Sequence, residues 1–239
     1  MRVKVQLQPG YILHRRPYRD SSLLVEAFSR GYGRVGLVAK GAKRGRSPTA
    51  GLLEPFQPLL ISWSGKGELS TLIGVELSGA LPDLKGDDLL GAFYINELMM
   101  RLLQRHIPHP ELYDCYTRTL ESLSTSGTLE WNLRLFERDL LQEIGYGLLL
   151  THTADTGDVI KPQQQYCYHP ERGAILYDGF DDVGVRVGGS TLLALSSGNE
   201  PDSAGLLESK RLMRRALSPY LGDKPLASRE LFRQRFRSL

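Results

Sequence analysis

Cysteine is scarce in this chain: Cys115 and Cys167 are the two among 239 residues, far apart in sequence. A disulfide framework needs several cysteines at recurring spacing, so both thiols are expected to be reduced. Long apolar runs are missing as well. The purely apolar stretches extend for a few residues only, well short of the roughly 20 needed to span a bilayer. Residues 1–10, MRVKVQLQPG, carry no apolar h-region, which argues against a secretory signal. The compartment expected from these absences is the cytoplasm, with no membrane partner. With 41% apolar residues the chain still buries a sizeable core and does not read as disordered.

Recognisable catalytic patterns are absent too. There is no G-x-S-x-G elbow, no H-E-x-x-H and no G-x-G-x-x-G opening a helix. His106, His109 and Cys115 form a metal cluster only superficially, because Pro108 and Pro110 set the pair at a helix junction and no fourth ligand is near. Ser64-Gly-Lys-Gly67 lacks the earlier glycine of a phosphate loop, and Gly67 stands where Ser or Thr would hold magnesium. It reads as a hairpin turn with Lys66 at its tip. No cofactor and no enzymatic activity are expected.

What is present is charge, unevenly placed. Residues 1–80 hold 12 Lys/Arg against 5 Asp/Glu, residues 81–208 hold 9 against 20, and residues 209–239 hold 9 against 2. A basic head and tail suit a polyanion, while the acidic middle faces elsewhere.

The apolar pattern divides the chain at Leu81-Pro82-Asp83. Alternating apolar residues predict strands over about 10–18, 22–29, 33–41, 57–64 and 69–78. In the last of these, Leu69, Thr71, Ile73, Val75 and Leu77 share one side. Five short strands in 80 residues without a convincing helix suggest a small barrel, by strand count either OB-like or SH3-like. From Asp87 the period is helical. One helix carries Leu90, Phe93, Tyr94, Leu98 and Leu102, and a second opens at Pro110. A third follows Thr128 as cap, with Leu129, Leu133, Phe136, Leu140 and Ile144 as its stripe. Tyr166–His169 and Ala174–Tyr177 flank a turn and predict a β-hairpin inserted at about 151–190. Helices capped by Ser203 and Ser228 close the chain. The domains expected are a barrel over 1–80 and a helical domain over 81–239, an α+β multidomain architecture.

The chemistry that survives is binding. Between His14 and Arg46 lie Arg15, Arg16, Arg19, Arg30, Arg34, Lys40, Lys43, Arg44 and Arg46, opposed by Asp20 and Glu26 alone. Tyr11, Tyr18, Phe28 and Tyr32 are interleaved, which suits stacking on unpaired bases beside phosphate contacts. Phe28 is also a candidate for the core. Lys40-Gly-Ala-Lys-Arg-Gly-Arg46 reads as a basic loop suited to backbone contact. The candidate DNA-binding residues are Arg15, Arg16, Arg19, Arg34, Lys40, Lys43, Arg44, Arg46 and Lys66. By charge and stacking alone, an RNA-binding OB adaptor fits equally.

Several blocks resemble the RecO family of bacterial recombination mediators. Tyr11-Ile-Leu-His-Arg-Arg-Pro-Tyr18, Gly33-Arg-Val-Gly-Leu-Val-Ala-Lys-Gly-Ala42 and Leu53-Glu-Pro-Phe-Gln-Pro-Leu-Leu60 are similar to its amino-terminal OB-fold. Tyr94-Ile-Asn-Glu-Leu98, Leu133-Arg-Leu-Phe-Glu137, Leu140–Tyr146 and Lys224–Gln234 are similar to its helices. The resemblance implies an OB-fold followed by a helical domain, in a nucleoid-associated protein. It implies binding of single- and double-stranded DNA, strand annealing and, with RecR and in some pathways RecF, loading of RecA onto DNA coated by single-strand-binding protein. The acidic tail of that protein is then a partner, with Arg134 as the carboxylate receptor and Tyr94 and Leu98 as the apolar wall. Many members bind zinc through two C-x-x-C pairs. Here His152, Thr153 and Thr156 stand near the first pair and Cys167 is isolated, so no zinc is expected.

Overall fold

The computed structural model describes residues 3–43, 48–125, 128–180 and 183–237. Its first five strands are β1 (Val3–Tyr18), β2 (Ser22–Ser29), β3 (Gly33–Ala39), β4 (Leu59–Gly65) and β5 (Leu69–Leu77). They close into a barrel in the order β1-β2-β3-β5-β4, the OB-fold arrangement and not the SH3-like one. A five-residue helix, α1 (Pro48–Leu52), lies between β3 and β4; it is too short to leave a helical period in the sequence.

β1 serves two neighbours, pairing with β2 through Gly10–Tyr18 and with β4 through Val3–Gly10. It bends at register shifts between Ile12 and His14 and between Val5 and Gln8, as closure of a small barrel requires. At the second shift Leu7 takes φ +46°, and its N–H donates to Ser62 Oγ at 2.9 Å. Val5, Ile12, Val25, Val35, Leu37, Ile61 and Trp63 fill the barrel.

A further shift, between Ser62 and Trp63, falls opposite β5 and corrects its expected phase. Leu72 and Val75 pack on the core, whereas Leu69, Ile73 and Leu77 are exposed. One extra residue in a strand flips every side chain beyond it.

Helices α2 (Gly86–Leu102) and α3 (Pro110–Thr125) cover the outer face of β1 and β2. Every residue of β2 is buried. Tyr11 and Phe28 meet Tyr113 and Tyr116 at ring separations of 5.0–6.4 Å. Asn96 on α2 donates to Leu13 O at 3.0 Å and accepts from Tyr116 Oη at 2.7 Å. Burial pushes the Tyr116 hydroxyl well above its ordinary range, and the nearby Tyr11 adds to this. The link between α2 and α3 runs beside β3, where His106 N–H donates to Arg34 O at 2.9 Å. Gly33 lies beneath it at φ +64°, and a Cβ there would overlap the carbonyl of Ile107.

The chain divides into two compact units, Met1–Thr125 with Leu226–Leu239, and Ser126–Pro225. The final helix, α7 (Ala227–Arg237), belongs to the first. Glu97 on α2 accepts from Ala227 N, Ser228 N and Ser228 Oγ at 3.0, 2.9 and 2.7 Å. Ser228 therefore donates to α2 within its own helix's first turn.

In the second unit, α4 (Leu129–Glu143) is followed by strands β6 (Gln165–His169), β7 (Gly173–Leu176) and β8 (Val185–Gly188), ordered β7-β6-β8. The expected hairpin is thus part of a three-stranded sheet. Helices α5 (Gly189–Ser197) and α6 (Ser203–Leu221) complete the unit. Trp131, Tyr166, Tyr168, Val187, Leu192 and Leu212 share its core. Two caps differ from expectation. Thr128 stands at the start of α4 without a side-chain capping bond, and α6 is capped by Asp202, which accepts from Gly205 N at 2.8 Å. Among the described residues no helix is long and apolar enough to cross a membrane.

Candidate nucleic-acid interface

Four of the predicted cations converge at one end of the barrel. β1 leads into its turn through Arg16, and Arg19 sits in that turn at φ +54°. The Arg19 guanidinium lies over the Tyr18 ring, 5.2 Å from its centre. After β3, Lys40 and Lys43 flank Ala42, which is part of the barrel core. The Lys43 N–H donates to Ser21 O at 3.0 Å. Burying Ala42 and tying Lys43 to the β1–β2 turn leaves Arg16, Arg19, Lys40 and Lys43 exposed together. His14 is exposed on the same strand end, with Asp20 the one acid in the turn. Arg44 and Arg46 lie outside the described residues.

Arg15 and Arg34 are held differently. Arg15 donates to Ala50 O at 3.0 Å and pairs with Glu54, so its half-buried charge also caps α1. Arg34 donates to Met100 O and faces Glu26 at 3.5 Å. Burial pulls its pKa below the ordinary arginine value; Glu26 opposes this and Arg105 adds to it. Arg105, which the sequence reading missed, pairs with the buried Glu26 and with Glu68 at 3.1 Å. Arg30 makes two hydrogen bonds to Asp114, at 3.0 and 2.8 Å, and these hold the Asp114 carboxyl below its usual range. These arginines tie the barrel to its own helices. Tyr11 and Phe28 are buried and offer no ring to a base.

The outer face of β2–β3, where this fold commonly carries single strands, is therefore occupied by α2, α3 and their link. Lys66, at the β4–β5 tip, belongs to the other end of the barrel. Gly36 pairs in parallel with Leu69, so Lys40 lies four residues beyond that level and Lys66 three before it. Seven residues along a strand separate them by roughly 20 Å.

Tyr94 and Leu98 are buried in the first unit and Arg134 in the second. Tyr94 Oη accepts from Arg229 at 3.3 Å. Arg134 Nη2 donates to Glu137 at 2.7 Å, with the two side chains 7% and 1% exposed.

The positions near the family's first C-x-x-C pair do not fit zinc. Thr153 Oγ1 and Thr156 Oγ1 are 2.8 Å apart, Thr156 Oγ1 donates to Asp158 at 2.7 Å, and Asp158 N–H donates to Thr153 Oγ1 at 3.0 Å. Hydroxyls that satisfy one another offer no thiolate to a metal. Among the described residues no group of three His, Cys, Asp or Glu could hold a metal ion.

An OB-type barrel with a cationic end, joined to helices and a small three-stranded sheet, defines a class of barrel-plus-helix proteins. Residues 1–80 match the family model for the recombination protein O N terminal, and residues 84–230 that for the recombination protein O C terminal. The chain is 50% identical over 232 residues to the DNA repair protein RecO of Nitrosococcus oceani, covering 97% of this chain and 94% of that one. It is 47% identical over 230 residues to the DNA repair protein RecO of Nitrosospira multiformis, covering 96% and 95%. The chain belongs to the RecO family of DNA repair proteins.

Proposed function

We propose that this protein is a recombination mediator that binds single- and double-stranded DNA and anneals complementary strands. With RecR, and with RecF in some pathways, it helps RecA load onto DNA coated by single-strand-binding protein. The observation that carries this reading is the exposed group Arg16, Arg19, Lys40 and Lys43 at one barrel end, in a chain of the RecO family.

Annealing brings two polyanions together, so it needs cations that lower their repulsion without reading sequence. Lysine and arginine on turns supply this by displacing counterions from phosphates. Arg44 and Arg46 extend the same loop in sequence, while Arg15 and Arg34 act by holding the barrel's shape. No covalent step is required, and the protein acts by binding alone in the bacterial cytoplasm, at the nucleoid. The barrel over 1–80 handles DNA, and the acidic stretch over 81–208 leaves the helical domain to protein partners. The acidic tail of single-strand-binding protein is one such partner. For Arg134 to receive its terminal carboxylate, that carboxylate must exchange with Glu137.

Fluorescence anisotropy with single-stranded DNA, duplex DNA and RNA of matched length, paired with an annealing assay, tests the proposal. Binding of both DNA forms with accelerated annealing supports it. Preference for RNA without annealing replaces it with an RNA adaptor.

A further inference from the structure

The barrel end opposite the cationic turns has its own arrangement of aromatic and basic groups. Tyr32, in the β2–β3 turn, packs edge-on against Trp63 with ring centres 5.2 Å apart. Trp63 is a core residue, so the tyrosine is backed by a rigid ring, yet it remains 40% exposed. Two lysines stand at the same barrel end. Lys4 pairs in register with Ser64, beside Val5 opposite Trp63. Lys66 stands between Gly65 and Gly67, the latter at φ +82°, at the hairpin tip. Both lysines are exposed, and neither forms an ion pair among the described residues. The nearby acid, Glu68, is taken up by Arg105.

We propose that Tyr32, Lys4 and Lys66 form a second single-strand seat, separate from the first, in which a base stacks on Tyr32 and the two lysines meet the adjoining phosphates. The proposal rests on the annealing reading above and adds where the second strand is held. An exposed aromatic fixed by a buried neighbour is a preorganised stacking surface, and stacking tolerates any base. The two ends lie roughly 20 Å apart along the strands. The outer face of β2 and β3 between them is filled by Phe28, Tyr113, Glu26 and Arg105. A strand at the first seat therefore cannot follow that face to the second. Two seats on one barrel hold two strands apart until pairing joins them.

The test uses the full chain and two non-complementary oligonucleotides, one with a donor dye and one with an acceptor, and a third oligonucleotide bearing 5-iododeoxyuridine for photocrosslinking. The wild type is expected to bring donor and acceptor together and to crosslink at Tyr32. Tyr32→Ser with Lys66→Glu should abolish the energy transfer and slow annealing about tenfold, the scale of one lost stacking contact, while one strand still binds. Tyr32→Phe should retain both signals. Lys66→Glu alone, at an exposed hairpin tip, gives the same direction of change without touching the Trp63 packing. Persistence of the Tyr32 crosslink in Lys40→Glu/Lys43→Glu protein supports two independent seats. Loss of that crosslink, or wild-type energy transfer and annealing in the Tyr32/Lys66 variant, overturns the proposal. A wild-type protein that binds one strand and anneals, with no energy transfer, overturns it too but leaves the mediator reading standing. A protein that binds no DNA removes the mediator reading itself.

Discussion

Replacing Arg134 separates a structural charge from an available one. Arg134 and Glu137 lie one turn apart on α4, joined at 2.7 Å, with side chains 7% and 1% exposed. Arg134→Ala leaves the Glu137 carboxylate buried without its guanidinium, a loss of about 3–5 kcal/mol. Replacing both partners by apolar residues of similar volume, Arg134→Met with Glu137→Leu, removes both buried charges and should recover most of that loss. In a unit of this size each kcal/mol moves Tm by about 4–8 °C, so the single variant should melt more than about 10 °C below wild type. Trp131 on the same helix is buried and reports the transition by fluorescence, with calorimetry as the second measurement. A single variant melting within about 2 °C of wild type would refute the reasoning.

Gly33→Ala should destabilise the first unit by at least about 2 kcal/mol in urea melts, since Gly33 has φ +64° and its Cβ would overlap the Ile107 carbonyl. For Glu97, burial raises the carboxyl pKa, but hydrogen bonds from Ser228 and Ala227 and the charge of Arg101 outweigh it and leave the pKa below the ordinary value. The docking of α7 is therefore fully supported above about pH 4.3 and weakens as pH falls through the lower folded value. Hydrogen exchange in α7 between pH 5 and 3 should show this in wild type and lose its pH dependence in Glu97→Gln. Thr153→Val removes the hydroxyl that accepts from Asp158 N–H and should cost about 1–2 kcal/mol. Chelator should leave the wild-type melt unchanged, and elemental analysis should find no stoichiometric zinc.

The strands of the barrel were legible because Val35, Leu37 and Ala39 alternate cleanly and glycines mark the turns. β5 was misread in phase because a bulge leaves no mark in composition: Leu72 and Val75, not the regular odd-numbered set, face the core. β8 went unseen because four residues beside glycines carry too little period, and its pairing with β6 is set by tertiary contact. The basic cluster was visible, but its division was not. Arg34 reads like Lys40 in sequence, and only Glu26, 8 residues before it, and Arg105, 71 after it, reveal a buried ion-pair role. Arg134 shows the same limit: its spacing from Glu137 allows an ion pair, but the burial of that pair is set by tertiary packing.

The central claim, that the turns at one barrel end hold DNA by its phosphates, is tested most directly by Lys40→Glu/Lys43→Glu. Both lysines are exposed, and the loop is anchored through Ala42 and the Lys43 backbone, so the thermal melt should stay at the wild-type value. Losing two phosphate contacts should reduce the slope of log affinity against log salt for single strands by about 1.4, with annealing slowed in parallel. Unchanged affinity, slope and annealing in a folded double variant would contradict the account.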